Sequence, residues 1–173
     1  RAKGTTYYPA RFQLIMAANP CPCGYAYATA SAAPAEKKDR VKYFSRLSGP
    51  ILDRIDIQIE VPPVERISPG NAPSGDSSHA IRLRVIVARQ MAQERFREFG
   101  WCCNAQATGT WLRATLPQGH RIGQPRLGER AASSLRGADR AMRLAWTLSD
   151  LAGKTSPGPE EMMQGISMRT RLA

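Results

Sequence analysis

Leu47-Ser48-Gly49-Pro50-Ile51-Leu52-Asp53-Arg54-Ile55-Asp56 is the stretch from which the fold is read. Ser48-Gly49 breaks whatever precedes it, and Pro50, with its fixed φ and no N–H to satisfy, suits the first position of a new helical turn. The period then changes to two. Ile55, Ile57, Ile59 and Val61 alternate with Asp56, Gln58 and Glu60, the pattern of a half-buried strand, and Pro62-Pro63 ends it. Arg54 therefore falls at a boundary between elements, where a guanidinium can project outward. On local evidence, with Asp53 and Asp56 beside it, Arg54 reads as a surface ion pair contributing ~0–1 kcal/mol.

Upstream, Arg-Phe-Gln-Leu-Ile-Met-Ala-Ala (residues 11–18) is a short apolar run closed by Asn19-Pro20, the pattern of a buried parallel strand before its C-terminal loop. Ligands of α/β folds gather at such strand ends. Residues 21–39, rich in Ala, Pro, Gly and Ser, read as a loop or insert, and residues 40–47 as a short helix. Ser-Pro-Gly-Asn-Ala-Pro-Ser-Gly-Asp-Ser-Ser (residues 68–78) is turn-forming and marks a domain boundary.

Beyond residue 78 the period becomes 3.6. Ile81, Val85, Ala88, Ala92, Phe96 and Phe99 share one helical face, with Ser77 or Ser78 as N-cap and Gly100 as stop. A second helix follows Ser133-Ser134, places Leu135, Ala138, Ala141, Ala145, Leu148 and Leu151 on one face and stops at Gly153. A short last helix is predicted over 160–169. Helices alone after the boundary imply a small bundle. It is expected to be the stable unit, because two isolated strands expose unpaired edges.

The 173 residues hold 25 Lys+Arg against 14 Asp+Glu, a net charge of +11. Such an excess, mainly arginine, suits phosphate-bearing partners, although a merely solvated basic surface has the same charge. No apolar run reaches eighteen residues and the N-terminus has no leader pattern, so a cytoplasmic protein with no membrane partner is expected. The opening Arg1-Ala2-Lys3-Gly4 reads as an internal segment.

Cys21/Cys23 and Cys102/Cys103 are close pairs without a neighbouring histidine. Each is half of a four-ligand site, so no metal is expected and the thiols read as free. His79 and His120 stand in Gly- or Ser-flanked sequence and read as exposed side chains. No nucleophile with a base partner is evident. No G-x-x-x-x-G-K-[ST] loop occurs either; Gly153-Lys154-Thr155 follows a helix and lacks the upstream glycine. On the second long helix Arg136, Arg140 and Arg143 form a stripe at i, i+4 and i+7. It reads equally as a solvated face and as guanidinium groups presented to phosphates.

The blocks Phe12-Gln13-Leu14-Ile15-Met16-Ala17-Ala18-Asn19-Pro20-Cys21-Pro22-Cys23-Gly24 and Arg46 to Asp56, followed in order by Ser134 to Gly153, resemble the magnesium-chelatase-like AAA+ ATPases of the ComM (YifB-like) group. The resemblance covers nearly the whole chain and is weaker between Cys102 and Ala132. It implies an α/β fragment of a AAA+ core over residues 1–67 and a linker over 68–78. An all-α lid of the magnesium-chelatase C-terminal type follows over 79–173. It implies that Asn19 is the sensor-1 residue that orients the attacking water. Arg54 would be the arginine finger offered to ATP in the neighbouring subunit, and Arg136 the sensor-2 arginine that contacts the γ-phosphate. These roles reverse the ion-pair reading of Arg54. Trp146 stands where relatives usually carry a basic residue, and no second cysteine pair follows Cys23 before Arg40.

The implied cofactors are ATP and Mg²⁺, and the implied partners are identical subunits in a hexameric ring and DNA. The intact protein would hydrolyse ATP to move on DNA, as in branch migration during natural transformation; residues 1–173 by themselves lack the Walker A and B segments and are expected to be inactive. Two other readings stand beside this one: a motor subunit of a magnesium chelatase, and a non-enzymatic lid module that binds DNA or a partner ATPase.

Overall fold

The computed structural model describes residues 6–9, 12–19, 21–22, 37–47, 49–52, 54–61, 75–115 and 135–169. The chain divides into two compact units, Arg1–Leu47 and Ser48–Ala173.

In the first unit, α1 (Lys37–Phe44) begins three residues before the expected start. It closes with the Ser45 amide donating to the Val41 carbonyl at 2.8 Å and the Ser45 hydroxyl to Lys42 O at 2.8 Å. Residues 12–19 form no regular element and no strand ladder among the described residues. The expected sheet is thus not seen among the described residues, either here or in the second unit, where residues 57–61 likewise form no ladder. An alternating or apolar run offers a face, but a strand also needs a neighbour to accept and donate its backbone hydrogen bonds. Without one, Phe12, Ile15, Ile59 and Val61 remain largely exposed.

The second unit opens with α2 (Gly49–Leu52), the Pro-initiated turn, and its packed body is helical. α3 (Ser78–Arg95) is capped by Ser77, whose Oγ accepts from the Ala80 amide at 3.2 Å. A 3₁₀ turn at Arg97–Phe99 leads to Gly100, whose φ of 66° only glycine adopts without cost. After a second 3₁₀ turn at Asn104–Gln106 come α4 (Gly109–Thr115), α5 (Leu135–Leu151) and α6 (Pro159–Ser167). α4 escaped the periodicity because seven residues carry only one buried aliphatic, Leu112.

The core gathers Ala92, Phe96, Ala107, Leu112, Met142, Ala145, Trp146 and Met162, with Trp101 and Trp111 packed against it. Its aromatic rings meet edge to face: Phe96 lies 4.9 Å from Trp111 and 5.3 Å from Trp101 between centroids, geometries favoured by the ring quadrupoles. Trp146 joins this cluster and carries the Arg95 guanidinium 4.2 Å above its ring. Trp146 is thus part of the interior.

α5 and α6 approach closely because Gly165 faces the α5 backbone; a Cβ there would stand 2.6 Å from the Ala141 carbonyl oxygen. A buried polar knot ties α3 to α5. Asp150 receives both Arg95 Nη1 (3.2 Å) and Arg95 Nη2, and also Asn104 Nδ2 at 2.8 Å, while Asn104 Oδ1 accepts from Arg95 Nη1 at 3.0 Å. With Asp150 almost fully buried, each of these donors offsets the cost of taking its charge out of water.

The buried faces depart from the expected ones at their ends. Ala88, Ala92 and Phe96 are buried, but Ile81 and Phe99 are exposed, as are Leu135 and Leu151 on α5. On α5 the interior instead takes Gly137, Met142, Trp146, Ser149 and Asp150. On α5 the buried pairs 137/138, 141/142, 145/146 and 149/150 keep the helical period but turn the face away from Leu135 and Leu151, while on α3 burial is confined to the C-terminal half. His79 lies in the first turn of α3 and not in a loop; it is exposed as expected. His120 lies outside the described residues.

Candidate functional site

The strip that follows α2 is short, and its side chains have few apolar contacts. Its backbone nevertheless is fastened to the helical body at three successive points. The Arg54 carbonyl accepts from Arg140 Nη1 of α5. The Ile55 carbonyl accepts from Arg169 Nη1 at 3.2 Å. The Gln58 amide donates to the Met168 carbonyl, just past α6, at 2.7 Å. Arg54 N also closes the preceding turn onto Ile51 O at 2.9 Å.

With its peptide held in this way, the Arg54 side chain stays exposed, and Nη1 donates to the Pro50 carbonyl at 2.6 Å. The expected neutralising partner is elsewhere. Asp56 pairs with Arg140 at 3.0 Å, and Asp53 lies outside the described residues. One of the two carboxylates that sequence assigned to Arg54 is thus taken by another arginine, and the finger candidate leans on a neutral acceptor. A guanidinium in that condition has more to gain from an approaching phosphate than one already paired to a carboxylate.

The three arginines of α5 part company. Arg136 is exposed in the first turn and makes no hydrogen bond or ion pair among the described residues. Arg140 is turned to the strip. Arg143 directs Nε (3.0 Å) and Nη2 (2.8 Å) to the Ala107 carbonyl and so closes the connection before α4. Of the stripe that reads equally as a solvated face and as guanidiniums for phosphates, only Arg136 keeps its side chain without a partner among the described residues, while Arg140 holds the Arg54 carbonyl and Asp56 and Arg143 holds the Ala107 carbonyl. No linear spacing pairs Arg140 with a peptide 86 positions earlier. The only sequence signal was that both fall inside the two blocks that carry the family resemblance.

Asn19 is exposed at the end of the run 12–19. It belongs to the first unit, whereas Arg54 and Arg136 belong to the second. Cys21 is buried, and Cys102 and Cys103 are exposed as free thiols; Cys23 lies outside the described residues. Among the described residues no three His, Cys, Asp or Glu side chains cluster as a metal site, and no helix is long and apolar enough to cross a membrane.

One carboxylate has a shifted acidity. The Lys154 ammonium beside Glu161, then the Gly158 amide at 2.8 Å, hold the Glu161 carboxyl below its ordinary value of 4.5, and the same contact raises Lys154 above 10.5. This pair caps the start of α6 and has no part in the exposed arginines.

Comparison with known proteins agrees with the order of these elements. Residues 1–69 match the family model for magnesium chelatase, subunit ChlI, and residues 75–169 match that for the ChlI C-terminal region. An uncharacterized protein of Mycobacterium tuberculosis is 41% identical over 186 residues, which cover 98% of this chain and 33% of the relative. YifB of Salmonella typhimurium is 29% identical over 98% of this chain and 33% of its own length. Competence protein ComM of Haemophilus influenzae is 30% identical over 99% and 33%. The chain thus spans about a third of the length of the curated relatives it matches. No solved structure matches it. With both halves of one family matched in order, and relatives aligned over nearly all of its length, the chain belongs to the magnesium-chelatase-like AAA+ family, in the group that contains YifB and ComM.

Proposed function

We propose that this chain supplies the arginine-finger and lid portions of an AAA+ ATPase that couples ATP hydrolysis to work on DNA. Its division would be core (1–67), linker (68–78) and lid (79–173). The observation that carries the reading is the exposed Arg54 guanidinium on a strip whose backbone is fastened while its neighbouring carboxylate, Asp56, is occupied by Arg140. A fixed base with an unneutralised tip is what a charge donor to a neighbouring subunit's ATP requires.

Phosphoryl transfer is accelerated by placing positive charge against the developing negative charge, and an arginine offered in trans can contribute ~10³ to 10⁵ in rate. Arg54 would take that role. Arg136, exposed at the start of α5, would contact the γ-phosphate as sensor 2, and Asn19 would orient the attacking water as sensor 1. ATP with Mg²⁺ would be bound by residues other than those described, between identical subunits of a hexameric ring. The similarity to competence protein ComM, together with a net charge of +11, supports DNA as the polymer on which the ring works.

The test is ATPase turnover of the complete protein carrying this chain, with and without DNA, over a salt series. DNA-stimulated turnover and an affinity that falls steeply with salt are expected, because phosphate contacts release counterions. An affinity indifferent to salt refutes the DNA arm. The family description favours one competing reading, a motor subunit of a magnesium chelatase inserting Mg²⁺ into a porphyrin. That reading predicts complexes with other chelatase subunits and no stimulation by DNA. A lid module without catalytic work would instead bind DNA without ATP in a defined stoichiometry.

A further inference from the structure

We infer that Arg140 is a positioning residue for Arg54 and makes the lid helix and the finger strip one mechanical unit. The inference rests on Arg54 acting as the finger.

Three observations bear it. Arg140 Nη1 reaches both the Arg54 carbonyl and Asp56 Oδ1 (3.0 Å), so one guanidinium grips the strip on either side of Ile55. The Arg140 side chain is 24% exposed, whereas Asp56 is 62% exposed, so the arginine is the anchored partner and the strip is the part being held. The remaining anchors, Arg169 Nη1 to Ile55 O and Gln58 N to Met168 O, come from the end of α6, and Gly165 sets α6 close against α5. All the holds therefore originate from one packed pair of helices.

Arg136 stands four residues before Arg140 on α5, about 6 Å along the helix axis at 1.5 Å per residue. A helix moves as a rod over that distance. A displacement of α5 caused by what Arg136 binds is handed by Arg140 to the Arg54 peptide, and the finger's aim toward its neighbour changes with it. Arg140 also withdraws the Asp56 carboxylate from Arg54, so the same contact that sets position preserves the finger's charge. Transition-state stabilisation depends steeply on placement, and a misplacement of about 1 Å can cost ~10²-fold.

The experiment measures steady-state ATPase of the complete protein as wild type, Arg54→Ala, Arg140→Ala, Arg140→Lys and the Arg54/Arg140 double alanine variant, with amide hydrogen exchange over residues 54–58. Arg140→Ala is expected to lower kcat by about 10²-fold with KM for ATP little changed, because only the transition state uses the finger. Exchange at residues 54–58 should quicken while that of α3 and α5 stays as in wild type. Arg140→Lys should recover part of kcat, since one ammonium retains charge but not the forked reach. In the Arg54→Ala background, Arg140→Ala should add nothing, the signature of one residue acting through the other. If Arg54→Ala is inactive while Arg140→Ala has wild-type kcat, or if the two losses multiply, the positioning role is overturned and the finger reading stands. If Arg54→Ala turns over ATP normally, the finger reading itself fails and takes the inference with it.

Discussion

Residues 12–19 and helix α5 both carry apolar side chains, and the structure treats them in opposite ways. Phe12 and Ile15 are 75% and 83% exposed, whereas Ala141, Met142 and Ala145 on α5 are at most 2% exposed. Apolar content does not decide this, since α5 interleaves arginines and acids with its apolar face and is still the buried one. A helix satisfies its own backbone hydrogen bonds within the segment, so α5 needs neighbours only for its side chains, and α3, α4 and α6 provide them. An extended run leaves every amide and carbonyl to be paired by another strand. The strip 54–58 is intermediate: it belongs to no regular element, yet three of its backbone groups are claimed by Arg140, Arg169 and Met168.

The sharpest way to break this contrast is to remove the charge at the centre of the helical body. Asp150→Ala should destabilise the second unit by about 3–5 kcal/mol, because the Arg95 guanidinium and the Asn104 amide are left buried without their acceptor. Chemical denaturation followed by circular dichroism measures it, and a loss under about 1 kcal/mol would mean that water already enters the knot. Gly165→Val comes next. The added Cβ meets the Ala141 carbonyl at 2.6 Å, so α6 has to back away from α5, at about 1–3 kcal/mol; the same melts read it.

A smaller effect is a change in acid sensitivity. Glu161 has its folded pKa lowered by Lys154 and Gly158, so its contribution is fully present above the ordinary 4.5 and is lost as pH falls through the depressed value. Lys154, raised above 10.5, gives its contribution below that value and loses it only as pH rises further. Glu161→Gln is therefore expected to be less stable than wild type at neutral pH, with the gap closing in acid. A gap that stays constant with pH would show that the side chain's packing, not its charge, is what α6 uses.

The smallest effect belongs to the other side of the comparison. Ile15→Ser should alter stability by less than ~0.5 kcal/mol, as for surface positions generally. A loss of several times that size would show that residues 12–19 bury their side chains against a partner after all.

Legibility followed the same division. Ser77 as a cap, the Pro50 turn and the bounds of α5 and α6 were readable because caps, proline and helical period act over a few residues. α4 was not, since Trp111 and Leu112 are too few to declare a period. The site divides likewise: Arg54 and Arg136 stand inside contiguous blocks that resemble a family, whereas the grip of Arg140 on the Arg54 peptide joins positions 86 apart.

By itself, then, the sequence determined α3, α5 and α6 of the second unit, the family, and which arginines are candidates for phosphate. Tertiary structure alone decided which of those arginines remain available. Arg143 is used by Ala107 and Arg140 by the strip after α2, while Arg136 and Arg54 stay exposed. The reason is physical: side-chain charge and helical period are local properties, but a guanidinium's partner is set by whichever carbonyl or carboxylate the packing of distant segments brings within 3 Å.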